Sequence, residues 1–229
     1  VSPEHPVTVR DLMTHTGGFT YGVFGDTFVD LLYRERKELL GDDTSLDEFV
    51  RQVATLPLLY EPGSKFQYSV SVDILGYLVQ KLSGQPLDRY LRDHLLDPLE
   101  MSDTFFNVPR SKLDRFATCY GPVDEDEEGI KGSRIRVIDR PAESPYVQGR
   151  EFLSGGGGLV STVEDYWSFL QMMLDGGEFN GSRILGRKTV EYMTQNHLSD
   201  QIIERDPLGG FGFGLGFAVL LDTRTSGVV

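Results

Sequence analysis

The stretch EPGSKFQYSVSVDILGYLVQKLSG, residues 61–84, decides how the rest of the chain is read. Glu61-Pro62-Gly63-Ser64 is a turn signal, since proline presets φ and glycine accepts the positive φ that other residues avoid. Lys65-Phe66-Gln67-Tyr68 then reads as a short extended segment. From about Val70 to Leu82, the residues Ile74, Leu75, Leu78, Val79 and Leu82 form an apolar stripe at helical spacing, and Gly84 closes the helix. A tyrosine therefore stands just ahead of a helix N-terminus.

Working outward, Thr8 is a natural N-cap with Asp11 as its capping-box partner and Val7 and Leu12 as the staple pair. Gly17-Gly18 is the expected stop of that helix. A second helix is predicted from Ser45, with Glu48 as box partner; it buries Phe49, Val50 and Val53 and ends before Pro57. Pro86 suits the first turn of a further helix through Leu87 and Leu91 to Leu95, stopped by Pro98. From about Met101 to Phe152 the periodicity fades, and the run Asp124-Glu125-Asp126-Glu127-Glu128 reads as a solvated surface loop.

Order returns at Gly155-Gly156-Gly157-Gly158-Leu159-Val160. Thr162 with Asp165, or Ser161 with Glu164, then caps an amphipathic helix through Trp167, Leu170 and Leu174 that ends at Gly176-Gly177. Another helix is expected from about Arg187 to Gln195. Phe213 to Leu221 reads as a glycine-containing strand, its glycines relieving crowding, and Asp222 to Gly227 as a hairpin turn. Val228-Val229 would open the returning strand. An unfinished pair of strands is marginal in water, so these residues are expected to be cut from a longer polypeptide. No internal repeat is present.

Composition narrows the function classes. Among 229 residues, 22 Lys and Arg face 35 Asp and Glu, a formal net charge of −13. Such a surface repels phosphate backbones and anionic lipid, which argues against nucleic-acid or membrane partners. Cys119 is the single cysteine, so no internal disulfide or Cys-type zinc site can form. No run of about 18 apolar residues exists, and Val1 to Pro6 carry no signal-peptide pattern, which leaves the compartment open. Residues 181–189 have one residue too many for a phosphate-binding loop. His5, His15, His94 and His197 show no metal-ligand spacing, and no Gly-x-Ser-x-Gly occurs. No metal or cofactor is expected.

Three segments taken in order carry a resemblance. They are VTVRDLMTHTGGF (7–19), YSV followed by SVDILG (68–76), and GGGGLVSTVED (155–165). Together they resemble the serine β-lactamase and penicillin-binding-protein superfamily, in particular class C-like enzymes and the related family VIII carboxylesterases. The resemblance implies an α+β, β-lactamase/transpeptidase-like fold, mostly the helical subdomain with an incomplete antiparallel sheet. It divides the chain into residues 1–152, mainly helical with the long acidic loop, and 153–229, helices and the first strand of the return to the sheet.

The resemblance also implies a chemistry. A serine in a Ser-x-x-Lys motif attacks a carbonyl to give an acyl-enzyme, and the motif lysine together with a tyrosine moves the proton. Tyr68 matches that tyrosine. A phenol has an ordinary pKa near 10, so such a base needs positive charge nearby, which a helix N-terminus and a lysine ammonium supply. Tyr21 falls where relatives line the acyl pocket, and Gly156 and Gly157 where backbone approaches substrate. Val70 replaces the asparagine of the β-lactamases and is typical of the esterase branch. Ser69 is read as a helix cap, and Asp73 as a first-turn carboxylate without a catalytic role. Taken without the resemblance, Tyr68 is equally a half-buried aromatic at a strand end, Tyr21 a packing residue and the glycines a flexible loop.

No lysine in the chain has a serine three residues before it. The resemblance puts the nucleophile upstream of Val7 and the substrate-binding strand motif (KTG-like, HxG-like or Trp-Gly-Gly) after Val229. Two readings follow: the middle portion of an acyl-serine hydrolase acting on a small-molecule ester or amide, or a non-catalytic binding or scaffold homologue.

Overall fold

The computed structural model describes residues 3–36, 39–123, 134–205 and 209–226. Several of its helices begin where a side chain satisfies free backbone N–H groups. Thr8 caps α1 (Val9–Met13), accepting from Asp11 N while Asp11 Oδ2 accepts from Thr8 N. Thr27 and Asp30 repeat the device for α2 (Phe28–Glu35). Ser45 caps α3 (Leu46–Val53) by accepting from Glu48 N. Then come α4 (Ser71–Ser83), closed by Gly84 at φ +69°, and α5 (Leu87–Leu91), which runs on through a π-helical turn, Arg92–Leu96.

A 3₁₀ turn (Arg110–Arg115) leads into the antiparallel pair β1 (Cys119–Pro122) and β2 (Ile135–Asp139), followed by α6 (Pro145–Gln148). Thr162 accepts from Asp165 N to cap α7 (Val163–Leu174). The chain ends with the short ladder β3 (Glu178–Phe179) and β4 (Ser182–Arg183), α8 (Arg187–Met193), α9 (Asp200–Arg205), the hairpin β5 (Phe211–Phe213) and β6 (Ala218–Leu220), and α10 (Thr223–Ser226).

The main core forms around α4, which packs on α1, α3 and α5. Leu12, Leu46, Phe49, Val53, Val70, Ile74 and Leu87 interlock there, and Phe106 and Phe152 close it from the later chain. A second cluster joins Leu96, Leu99 and Met101 to Met172 and Phe179. Asp165 ties its edge together, accepting from Asp103 N at 2.7 Å and Thr104 Oγ1 at 2.8 Å.

Several sequence expectations are corrected. α1 ends at Met13, with Thr14 as its C-cap and before Gly17-Gly18, because His15 turns into the left-handed region at φ +54°. Leu82 is exposed, since the last turn of α4 runs past the core. Trp167, Leu170 and Leu174 also face outward; α7 packs through Phe169, Met172 and Met173. The strand expected from Phe213 to Leu221 folds back on itself at Gly214–Phe217, with Gly216 at φ +85° in the bend. Residues Thr223–Ser226 form a helical turn where a hairpin turn was expected. α2 and the β1–β2 pair went unread. The acidic run 124–128 and residues 227–229 lie outside the described residues.

Phe49 has no exposed surface and packs on the Phe152 ring at 5.2 Å between centroids. Phe49→Ala is expected to cost about 3–5 kcal/mol of stability, from lost burial plus the cavity left behind. Urea unfolding of the two proteins checks this through the midpoint at unchanged slope.

Candidate active site

The short segment ahead of α4 is held by His15. Gln67 N donates to the His15 carbonyl at 2.8 Å, and Ser69 N donates to His15 Nδ1 at 3.2 Å. With both neighbours of Tyr68 tied to one residue, the tyrosine side chain is directed away from the core. Its ring lies on the His15 ring, centroids 4.5 Å apart, with Tyr21 and Phe24 at 5.8 and 6.1 Å. Three aromatic neighbours fix the ring while 45% of the residue remains exposed. The Tyr68 hydroxyl has no hydrogen-bond partner among the described residues.

His15 is 2% exposed and lies edge-on to Phe66 and Phe213. Burial pushes its pKa down to about 4, and the bond from Ser69 N requires a neutral ring with the proton on Nε2.

Asp73 stands in the first turn of α4 and is 1% exposed. A buried carboxylate is costly unless hydrogen bonds replace its lost water. Three donors do so from two distant parts of the chain. Tyr21 Oη donates to Oδ2 at 3.0 Å, while Ser154 Oγ and Gly156 N (3.1 Å) donate to Oδ1. Burial first, and then the Asp73 charge, hold the Tyr21 phenol far above its ordinary range. Tyr21 is thereby a fixed proton donor, chemically unlike the open Tyr68.

The glycine run approaches α4 closely. A Cβ on Gly155 would collide with the Val72 carbonyl, and one on Gly156 would stand 2.5 Å from Tyr21 Oη and 3.0 Å from Asp73 Oδ2. Gly157 has open space, with its N–H on Ser154 Oγ at 3.0 Å.

Together these parts line one cleft of about 340 Å³, a size suited to a small molecule. Tyr68, Tyr21, Gly156 and Gly157, named separately from the sequence, all line it, as do Asp73, Ser154, Tyr146 and Arg150. Ser69 is not the expected cap: Val70 occupies the N-cap position, and the buried Ser69 hydroxyl pairs with Ser71 Oγ at 2.9 Å. No group of three or more His, Cys, Asp or Glu among the described residues is arranged to hold a metal ion. Asp73 was visible as a helix first-turn acid, but its partners lie about fifty residues before it and eighty after, beyond the reach of local pattern. His15 lay within the first segment of the resemblance without a role of its own, and Arg150 carried no motif signal.

The His15 environment makes stability depend on pH. The unfolded chain takes up the imidazole proton near pH 6.5, the folded chain only near 4. The contribution is present in full above 6.5 and lost as pH falls through 4, a swing of about 3 kcal/mol. His15→Asn keeps an acceptor and tolerates the positive φ. Denaturation between pH 4 and 7 is expected to show a flatter pH dependence in that variant.

The chain matches the family described as Beta-lactamase over residues 2–227. Protein Rv1367c of Mycobacterium tuberculosis is 32% identical over 225 residues, covering 96% of this chain and 53% of that protein. Esterase EstB of Burkholderia gladioli is 29% identical over 238 residues, covering 98% of this chain and 57% of that one. The solved structure of EstCE1, described as a hydrolase with promiscuous acyltransferase activity, superposes with a TM-score of 0.75 at 26% identity. That match covers 100% of this chain and 59% of EstCE1. The chain thus spans a little over half the length of these relatives. With a helix-rich layer around α4, small antiparallel ladders and a tyrosine ahead of that helix, this chain belongs to the beta-lactamase family.

Proposed function

We propose that these residues form the substrate cleft of an acyl-enzyme hydrolase acting on small esters or amides, with Tyr68 as the group that moves the proton. The observation that carries this reading is the common cleft. Four residues from three separate segments line it, Tyr68 among them, and the Tyr68 hydroxyl has no hydrogen-bond partner among the described residues.

In this reading a serine hydroxyl, contributed from outside these residues, attacks the substrate carbonyl carbon. With its own proton first passed to the amine of the motif lysine, likewise contributed from outside these residues, Tyr68 Oη accepts the serine proton as the C–O bond forms, then returns it to the leaving alcohol or amine as the scissile bond breaks. Water repeats the sequence in reverse: it gives its proton to Tyr68, attacks the acyl carbon, and the serine oxygen leaves with that proton. Tyr21, held neutral and locked on Asp73, takes no part in proton transfer and forms a wall of the acyl pocket. Val70 in place of asparagine, and the name of EstB as an esterase, favour esters over β-lactams.

In the complete polypeptide, Tyr68→Phe is expected to slow acylation by p-nitrophenyl butyrate about 10²–10⁴-fold. The ring and its stacking on His15 are retained, so folding is expected to be unchanged. The amplitude and rate of the product burst measure the effect. A wild-type burst in the variant would remove Tyr68 from the mechanism, and no burst in the unaltered polypeptide would favour a non-catalytic binding homologue.

A further inference from the structure

Arg150 lies in the wall of this cleft and is held there by an ion pair, an aromatic ring and two backbone hydrogen bonds. Its Nε stands 2.6 Å from Asp42 Oδ1. Its guanidinium carbon lies over the Tyr146 ring, 4.7 Å from the centroid. Its backbone N–H donates to Asn107 Oδ1 at 2.8 Å, and its carbonyl accepts from Asn107 Nδ2 at 3.3 Å. Tyr146 in turn donates its hydroxyl to the Gly157 carbonyl at 3.3 Å, so the ring under the guanidinium is fastened to the glycine run. The side chain is only 13% exposed.

These contacts fix a planar cation and remove much of the conformational freedom that binding would otherwise cost. Neither Nη1 nor Nη2 has a hydrogen-bond partner among the described residues. Left open in this way, a guanidinium presents N–H donors whose fork matches a planar carboxylate. Asp73, which also lines the cleft, offers only acceptor oxygens and already receives Tyr21, Ser154 and Gly156, so it does not serve the same purpose. A chain of net charge −13 repels anions at long range, so an anionic ligand needs a local cation of this kind to be retained.

We propose that Arg150 is a specificity-determining residue that binds a carboxylate on the substrate, so that the cleft prefers esters or amides carrying a second, free carboxylate. The proposal rests on reading the cleft as the substrate site and adds the substrate's charge to that reading. Asp42 and Tyr146 are the positioning residues that aim the guanidinium.

The test uses two ketones that the enzyme cannot cleave, 5-oxohexanoate and 2-hexanone, which share a skeleton and differ only in a terminal carboxylate or methyl. Binding to the complete polypeptide is measured by calorimetry or NMR titration. The carboxylate ketone is expected to bind at least about 10-fold more tightly. In Arg150→Gln the ratio is expected to fall within about threefold, and Arg150→Lys, which keeps the charge but loses the fork, to fall between. Melting curves identify a variant that fails to fold, and the lysine variant then carries the comparison. Equal binding of the two ketones, binding of neither, or a preference that survives both substitutions would overturn the proposal. Because ketone binding needs no turnover, an intact preference in a polypeptide that hydrolyses no ester would overturn the catalytic reading and leave the anion site standing.

Discussion

A single buried carboxylate organises the site. A buried carboxyl group needs hydrogen bonds in place of its lost water, and the chain brings Tyr21, Ser154 and Gly156 to Asp73. Satisfying one charge therefore draws the segment after α1 and the glycine run onto the first turn of α4. The approach is so close that a side chain at Gly156 would strike both Tyr21 and Asp73. The cleft is the space left on the outer side of this junction.

His15 plays the matching part for the segment ahead of α4. It is buried, neutral and in an unusual backbone conformation, and it receives the N–H of Ser69 while its carbonyl receives that of Gln67. The same ring packs on Phe213, so the β5–β6 hairpin supports the Tyr68 segment from behind. The two tyrosines of the cleft thus have opposite chemistry for a plain reason. Tyr21 spends its proton on a buried anion, whereas Tyr68 keeps an open hydroxyl on a ring fixed by aromatic contacts.

Much of this was legible from local pattern. The caps at Thr8, Ser45 and Thr162, the extent of α4 and the closure at Gly84 follow from side chains within a few residues of one another. Thr27 and Asp30 form the same box as Thr8 and Asp11, so α2 carried a readable signal that was passed over. β1 and β2 did not, since both are largely exposed and show no buried alternation to reveal them. Tyr68, Tyr21, Gly156 and Gly157 were found through resemblance, and their meeting in one cleft is a tertiary fact. Asp73, His15 and Arg150 were beyond reach for the same reason: their roles are set by partners dozens of residues away. The exposed Trp167, Leu170 and Leu174 show the converse limit, because periodicity marks an apolar face without saying that it is covered.

The Asp73 carboxylate holds the glycine run against α4, and amide hydrogen exchange at Gly156 reads that bond. Gly156 sits in a glycine-rich loop, where an unbonded N–H would exchange at close to the rate of an unstructured peptide. Bonded to Asp73 Oδ1, it is expected to exchange about 100-fold more slowly, with protection that weakens in Asp73→Asn while the amides in the middle of α4 keep theirs. Exchange of Gly156 at the free rate in the unaltered protein, or protection untouched by the substitution, would contradict it.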